Sequence, residues 1–470
     1  MSFDLIYDVE TFPNVFTLCA EHADYPLTWC FEISPWRNDY LAIVEWIVWL
    51  RSQKARMVGF NNVGFDYPIL HELLKNPHTT AATLYAKCQD IIQSQDFDKW
   101  QHMVYPSDRY IEQIDLYKIH HFDNKARATG LKALEFNMRL DNVSDLPFPV
   151  GTVLNQEQTQ VLKQYNAHDV RATKKFHHAS KELIAFREGL TEQYEKDFMN
   201  FADVKIGKEI FAHELEKKGV QLYKYGSNGR QPMQTLRTSI ALKDCILPWI
   251  EFENVGFRRV LDWFRQQTIS ETKGVFTDLT VDTYGLTFVF GTGGLHAAVK
   301  NKAIVATDDK LIESRDVSSY YPNLSIVNNF YPEHLGEKFC TVYKTLYERR
   351  KGFKKGTVEN AALKLSLNGT YGASNDKFSV FYDPSFTLKI TLNGQLLLCL
   401  LIEQLCKIPT VEMIMVNTDG LEYTIHPDHA GASDKVCDAW CKTTGLVLES
   451  ARYSKMFIRD CNNYIAVYED

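Results

Sequence analysis

Lys364-Leu365-Ser366-Leu367-Asn368-Gly369-Thr370-Tyr371-Gly372 places a cation, an amide and an aromatic ring at i, i+4 and i+7. On a helix these three side chains share one stripe, from which a cation can meet a triphosphate and a ring can meet a base pair. The helical pattern runs from Val358 to Tyr371, and Lys355-Gly356-Thr357 separates it from a second helical segment, Glu337 to Lys354. There Arg350 and Lys354 repeat the i, i+4 spacing, with Arg349 an alternative partner in the basic run Arg349 to Lys355. Acidic strand ends flank both helices. A strand from Leu311 leads into Asp316-Val317-Ser318-Ser319-Tyr320-Tyr321-Pro322. The apolar runs Val411 to Val416 and Leu421 to Ile425 flank Asn417-Thr418-Asp419-Gly420, whose D-G pair signals a hairpin. A helix is expected over Asn393 to Leu405, and a strand over Thr287 to Phe290 that enters the turn Gly291-Thr292-Gly293-Gly294.

A second set of acids lies far upstream. Asp8 and Glu10 are two apart in the strand-like run Phe3 to Val9, so they leave one face and can share a cation. Asp66 closes Asn62-Val63-Gly64-Phe65-Asp66, after a strand expected over Ala55 to Phe60. Tyr165 and Asp169, in Tyr165-Asn166-Ala167-His168-Asp169, fall at i, i+4 within a long helical pattern from about Asn155 to Phe198. Asp8, Glu10, Asp66 and Asp169 could then form a two-metal site, with Tyr165 orienting a water. Asp115, in Gln113-Ile114-Asp115-Leu116, reads as structural, and His168 points about 100° round the helix from Asp169 and is given no chemistry.

The chain of 470 residues has the length of two to four domains at roughly 100 to 200 residues each. Its 45% hydrophobic and 24% charged content is that of a globular enzyme. No run approaches about 18 uninterrupted apolar residues, and the acids in MSFDLIYDVE argue against a signal peptide. Ten cysteines without a C-x-x-C pair point to reduced thiols and a cytoplasmic protein, and His426, His429, Cys437 and Cys441 do not have finger spacing. The net charge of −7 is awkward for a nucleic-acid enzyme unless basic residues gather in one groove.

Asp8-Val9-Glu10, Asn62-x3-Asp66 and Tyr165-x3-Asp169 resemble the three motifs of DEDD-type proofreading exonucleases, tyrosine subclass. Asp316 to Pro322 resembles the D-x-x-S-L-Y-P motif of family B DNA polymerases, Lys364 to Gly372 their K-x-x-x-N-x-x-Y-G motif, and Arg350 with Lys354 their triphosphate clamp. Asn417-Thr418-Asp419-Gly420 corresponds to the family's D-T-D-S hairpin, with Asn for the first acid and Gly for the serine. Gly291 to Gly294 looks like its Y-x-G-G segment, and Asn462-Asn463-Tyr464 stands where it has K-x-Y.

The resemblance, to bacteriophage versions above all, implies a template-directed DNA polymerase with 3′→5′ proofreading. Asp316, Val317 and Asp419 would hold the metals of polymerisation, and Asp8, Glu10, Asp66 and Asp169 those of the exonuclease. Two Mg²⁺ per site are implied, or Mn²⁺. Asn62, Phe65 and Thr11 would line the pocket for the primer 3′ end. Tyr321 would exclude a ribose 2′-hydroxyl, Lys364, Arg350 and Lys354 would bind the triphosphate, Asn368 and Tyr371 would line the nascent pair, and Tyr464 would hold the primer strand.

The implied fold is α/β and α+β multidomain: an RNase H-like exonuclease over 1–200, a palm over 201–330 and 377–470, and a short two-helix fingers insertion over 331–376. Asp316 and Lys364 are 48 positions apart (364 − 316), which leaves no room for the insertions of protein-primed phage enzymes. No thumb is expected after Tyr464, so a partner or a further C-terminal segment would supply it. The other partners implied are primer-template DNA and dNTPs, with a processivity factor, helicase or single-strand-binding protein, in a bacterial host cytoplasm and without a membrane.

Overall fold

In the first strand, β1 (Asp4–Phe12), Leu5, Tyr7 and Val9 join one apolar cluster and Ile6 another, the period-two alternation of a sheet with core on both faces. The computed structural model describes residues 3–95, 97–98, 100–227, 229–272 and 274–469. The chain divides into two compact units, Met1–Asp203 and Val204–Asp470.

β1 is an inner strand of the first unit's six-stranded sheet, ordered β4 (Arg37–Asn38), β3 (Thr28–Ser34), β2 (Val15–His22), β1, β5 (Arg56–Gly59), β6 (Glu112–Asp115). The strands from β1 to β4 pair antiparallel, whereas β5 and β6 run parallel to β1. Helices α1 (Tyr40–Ser52), α2 (Asp66–Lys75) and α3 (Ala81–Ser94) pack on the Leu5 cluster through Trp46, Leu70 and Leu84. After the short α4 (Leu116–Ile119) and α5 (Leu131–Asn137), α6 (Gln156–Ala179) joins Val170 and Phe176 to the Ile6 cluster.

The long helical pattern after Asn155 is two helices. A capping box between Asn155 and Gln158 starts α6, and the chain breaks at Ser180 before α7 (Lys181–Tyr194). The Ser180 hydroxyl donates to the Phe176 carbonyl at 2.8 Å and meets His120 Nε2 at 2.9 Å. From α7, the fully buried Arg187 donates to the carbonyls of Phe201, Leu183 and Ile119 and to Asp203.

The second unit opens with α8 (Asp203–Lys217), the paired strands β7 (Tyr223–Gly226) and β8 (Gly229–Pro232), and the pair β9 (Ile240–Ala241) and β10 (Thr268–Ile269), between which lies α9 (Val255–Gln266). Its main sheet is antiparallel and has nine strands. The order is β11 (Thr280–Thr283), β12 (Leu286–Phe290), β13 (Leu295–Ala298), β16 (Glu412–Asn417), β17 (Gly420–Ile425), β15 (Leu311–Val317), β18 (Leu448–Asp460) and β14 (Lys302–Val305), with β19 (Asn463–Tyr468) also on β18. The helices that follow β15 are α10 (Tyr320–Asn328), α11 (Lys338–Lys351), α12 (Val358–Ala373), α13 (Pro384–Leu405) and α14 (Ala430–Thr444).

Two helix boundaries differ from the sequence reading. α11 stops at Lys351, not Lys354, because the Asn360 amide takes the carbonyls of Arg350 and Phe353 at 3.3 and 2.9 Å. Lys354 lies in the turn beyond, so the helical i, i+4 relation to Arg350 does not hold. α13 begins at Pro384 rather than Asn393: Asp383 accepts from Ser385 N–H and Pro384 occupies the first turn. Among the described residues α13 is the one helix long and apolar enough to cross a membrane, yet it is almost wholly buried in this unit, and the Trp440 indole of α14 donates to its Leu397 carbonyl.

Two candidate active sites

Asp8 and Glu10 alternate with Tyr7 and Val9, so the strand that buries those side chains turns both acids to the opposite face, where α6 brings Asp169. One oxygen each from Asp8, Glu10 and Asp169 lies within 4.8 Å of the others. Asp66, the first residue of α2, accepts from Val9 N–H at 3.2 Å. Burial, then Asp66, Glu10 and Asp169, push the Asp8 carboxyl well up. Burial followed by Asp169 and Asp66 takes Glu10 to about 8; burial takes Asp66 to about 7 and Asp169 to about 6, the latter against the Tyr165 hydroxyl. Asp169 Oδ1 is buried without a hydrogen-bond partner. Crowded, self-repelling carboxylate oxygens with an orphaned acceptor fit a hard divalent cation such as Mg²⁺ or Mn²⁺.

Several neighbours were not singled out in the sequence. Asn166, fully buried, donates to Asp8 Oδ2 at 2.7 Å. Its signal was available, since it lies on the buried stripe Leu162, Asn166, Asp169, Thr173 of α6. Glu135, fully buried, meets His168, the residue given no chemistry above, at 3.1 Å, and one donor atom each of Glu135, His168 and Asp169 lies within 4.8 Å of the others. Lys132, paired with Asp145 at 2.5 Å, lends positive charge to Glu10 and Asp169.

The residues expected at the primer end are placed unevenly. Asn62 is a correction: it is fully buried against Gln113 Oε1 at 2.9 Å and offers no surface to a nucleic acid. The loop turns its side chain inward because Asp115 takes the N–H groups on either side, Asn61 at 3.0 Å and Val63 at 3.2 Å. Asp115, buried and pushed to about 6 by that burial, thus shapes the approach to Asp66. Phe65 is half-buried against the Leu5 cluster, and Thr11, also half-buried, lies beside the Cys88 thiol of α3.

In the second unit Asp316 and Gly420 are register partners on β15 and β17, and Val317 N–H donates to the Asp419 carbonyl at 2.8 Å. Both acids are exposed; burial, then Asp419 and Glu449, raise Asp316, and burial raises Asp419. Oxygen donors of this kind again fit a hard cation. Two further acids had no motif to mark them. Glu449 is Asp316's partner on β18; Glu422, buried, is pushed to about 8 by burial, Asp316 and Asp419, and has one unpartnered oxygen.

The hairpin forms as its sequence suggests, but the left-handed residue is Thr418 at φ 59°, not Gly420. A β-branched side chain there is strained. Thr418 N–H donates to the Leu295 carbonyl at 2.9 Å, its hydroxyl meets His296 Nε2 at 3.0 Å, and a Cβ on Gly294 would come within 2.9 Å of its methyl. Asn417 donates to the Cys461 carbonyl at 3.3 Å.

Along α12, Lys364 and Asn368 are exposed and Tyr371 is half-buried, its hydroxyl 2.6 Å from that of Thr391. The Tyr371 and Tyr321 rings lie 4.3 Å apart, and the Tyr321 hydroxyl donates to the Gly293 carbonyl at 2.9 Å. Arg350 is half-buried at the end of α11, while Arg349 is exposed and lies 3.7 Å from Glu214. Tyr464 is 42% exposed on β19, its hydroxyl raised by burial and then by Glu422, Asp316 and Asp419.

No family model and no curated protein matches the sequence. Among solved structures, that of the family B DNA polymerase from the hyperthermophilic archaeon Pyrobaculum calidifontis aligns with 99% of this chain at 14% identity and a TM-score of 0.49. The chain spans 59% of that polymerase's length.

Proposed function

We propose that the chain is a template-directed DNA polymerase of family B, of bacteriophage type, whose first unit is a 3′→5′ proofreading exonuclease. The observation that carries this reading is the contact of Tyr371 with Tyr321, which joins the exposed stripe of α12 to the helix that follows the Asp316 strand. Tyr321 is braced by Gly293 and Tyr371 by Thr391, so two rings are fixed against each other, and the Asp419 charge acts on the Tyr321 hydroxyl. That is the arrangement a nascent base pair needs on one side and its sugar on the other.

Cations bound by Asp316 and Asp419, with Val317 beside them, would lower the pKa of the primer 3′-hydroxyl and offset charge on the transferred phosphate. Lys364, Arg350 and Lys354 present positive charge to the triphosphate and leaving pyrophosphate. The Tyr321 ring excludes a ribose 2′-hydroxyl, Tyr371 and Asn368 border the incoming base, and Tyr464 steadies the primer strand. In the first unit Tyr165 orients the attacking water beside Asp169, and Asp8, Glu10 and Asp66 complete the oxygen donor set. Asn166 fixes the Asp8 carboxylate. The substrates are primer-template DNA and dNTPs, with processivity supplied by other replication proteins of a bacterial host cytoplasm.

The test is extension of a labelled primer with Mg²⁺ and four dNTPs, beside Asp419→Ala and Asp66→Ala. Extension lost only in Asp419→Ala and 3′ degradation lost only in Asp66→Ala is the expected pattern. Extension that survives Asp419→Ala would sink the polymerase reading, and degradation that survives Asp66→Ala would sink the nuclease.

A further inference from the structure

Cys19 on β2 and Cys30 on β3 are eleven positions apart and stand directly opposite in the strand register, their sulfurs 2.7 Å from each other. Opposed residues of antiparallel strands have Cα atoms about 4.5 or 5.5 Å apart, both within the roughly 4.4–6.8 Å that a disulfide spans. The geometry points to a reversible thiol-modification site, in which Cys30 takes up a low-molecular-weight disulfide and Cys19 resolves it into a Cys19–Cys30 bridge.

The two thiols have different access. Cys30 is exposed, whereas Cys19 is buried beneath α6, its thiol 3.8 Å from the Lys163 carbonyl. Cys30 is held below the usual thiol range, first by its hydrogen bond with Cys19, then by Lys163 and Arg37. Lys163 also pairs with Glu32, next to it on β3. An accessible thiolate with a buried neighbour in contact is the arrangement of an attacking and a resolving cysteine. The remaining cysteines lack such a partner: no other pair among the described residues has its sulfurs in contact.

Electrons and atoms balance in two displacements. The Cys30 thiolate attacks one sulfur of the small disulfide, forming a mixed disulfide and expelling one small thiolate. Cys19 loses its proton and attacks Cys30 Sγ, breaking the mixed bond and expelling the second small thiolate. The cysteine pair loses two electrons and two protons, and the small disulfide is reduced to two thiols. The bridge lies in register with Asp8, because Cys19 is Asp8's partner on the neighbouring strand.

The experiment is incubation of the full chain with oxidised glutathione, alkylation of the remaining thiols, and mass spectrometry of the intact chain and its peptides. With the chain denatured before alkylation, two of the ten cysteines should escape it, the unalkylated mass should fall by two hydrogens, and one peptide should join Cys19 to Cys30. Cys19→Ser should stall with glutathione on Cys30, and reductant should reverse both products. Full alkylation of both cysteines, or a bridge from either to another cysteine, would overturn the proposal. This readout needs no catalytic activity, so its failure would be distinct from failure of the polymerase reading.

Discussion

A Cβ atom on Gly420 would stand 1.8 Å from Asp316 Oδ1, so the Asp316 side chain lies where a larger residue's own side chain would begin. The glycine is selected here by a neighbour's carboxylate and not by its backbone angles. Gly420→Ser, which restores the residue the family resemblance expects, should therefore swing Asp316 aside. A misplacement of about 1 Å costs on the order of a hundredfold in rate, so primer extension should fall by about that factor while 3′ degradation is unchanged. Extension at the original rate would mean that Asp316 tolerates the other rotamer.

The crowded acids of the first unit make the metal-free protein sensitive to pH. Glu10, Asp66 and Asp169 have folded values near 8, 7 and 6, all above their ordinary values, so the folded state holds more protons than the unfolded one across that window. Their contribution is present at acid pH and lost as pH rises through those values. The melting temperature without metal should drop from about pH 5 to about pH 8, and Mg²⁺ should restore more of it at the upper end. Asp66→Asn should flatten the curve. A profile indifferent to both metal and that substitution would contradict the picture of crowded, self-repelling charge.

Arg187 ties three backbone segments together from a position without solvent. Arg187→Ala leaves the Phe201 and Ile119 carbonyls without their side-chain donor, at about 1–3 kcal/mol for each buried group. Denaturant unfolding should show a loss of about 2–6 kcal/mol, and a loss under about 1 kcal/mol would show that water takes over the guanidinium's role.

Asp115 holds the loop before Asp66 by the N–H groups of Asn61 and Val63, and on the proposed function it acts on 3′ degradation through that loop. Asp115→Asn keeps one acceptor and sets an amide against Val63 N–H, which Asp115 Oδ2 now accepts at 3.2 Å. The loop before Asp66 should loosen, with 3′ degradation slowed about tenfold, stability lowered by about 1–2 kcal/mol and primer extension unaffected. Equal loss of both activities would argue for general unfolding instead.

The parts of the fold that could be read in advance are those specified by near neighbours in sequence. The alternation in β1 put Asp8 and Glu10 together, and the runs around Asn417 to Gly420 specified a hairpin. The start of α13 was missed because Pro-Ser-Phe-Thr-Leu-Lys-Ile-Thr-Leu is rich in β-branched and aromatic residues, a strand-like composition that burial in a helical core overrides. The end of α11 was missed because a side chain beyond the turn, Asn360, captures its last carbonyls. Asn166 had a helical stripe to mark it, but Glu422, Glu135 and the Cys19–Cys30 contact depend on strand register and packing between distant segments. No local period encodes those.

The near-complete burial of α13 has a consequence for how the protein is made. Synthesis is vectorial, and this long apolar helix emerges well before Trp440, whose indole donates to its Leu397 carbonyl. Until α14 arrives, a long greasy rod stands open to the crowded cell with its final cover still inside the ribosome. The yield of active protein should consequently hinge on translation pace and chaperone supply over that interval, independently of how stable the finished molecule is.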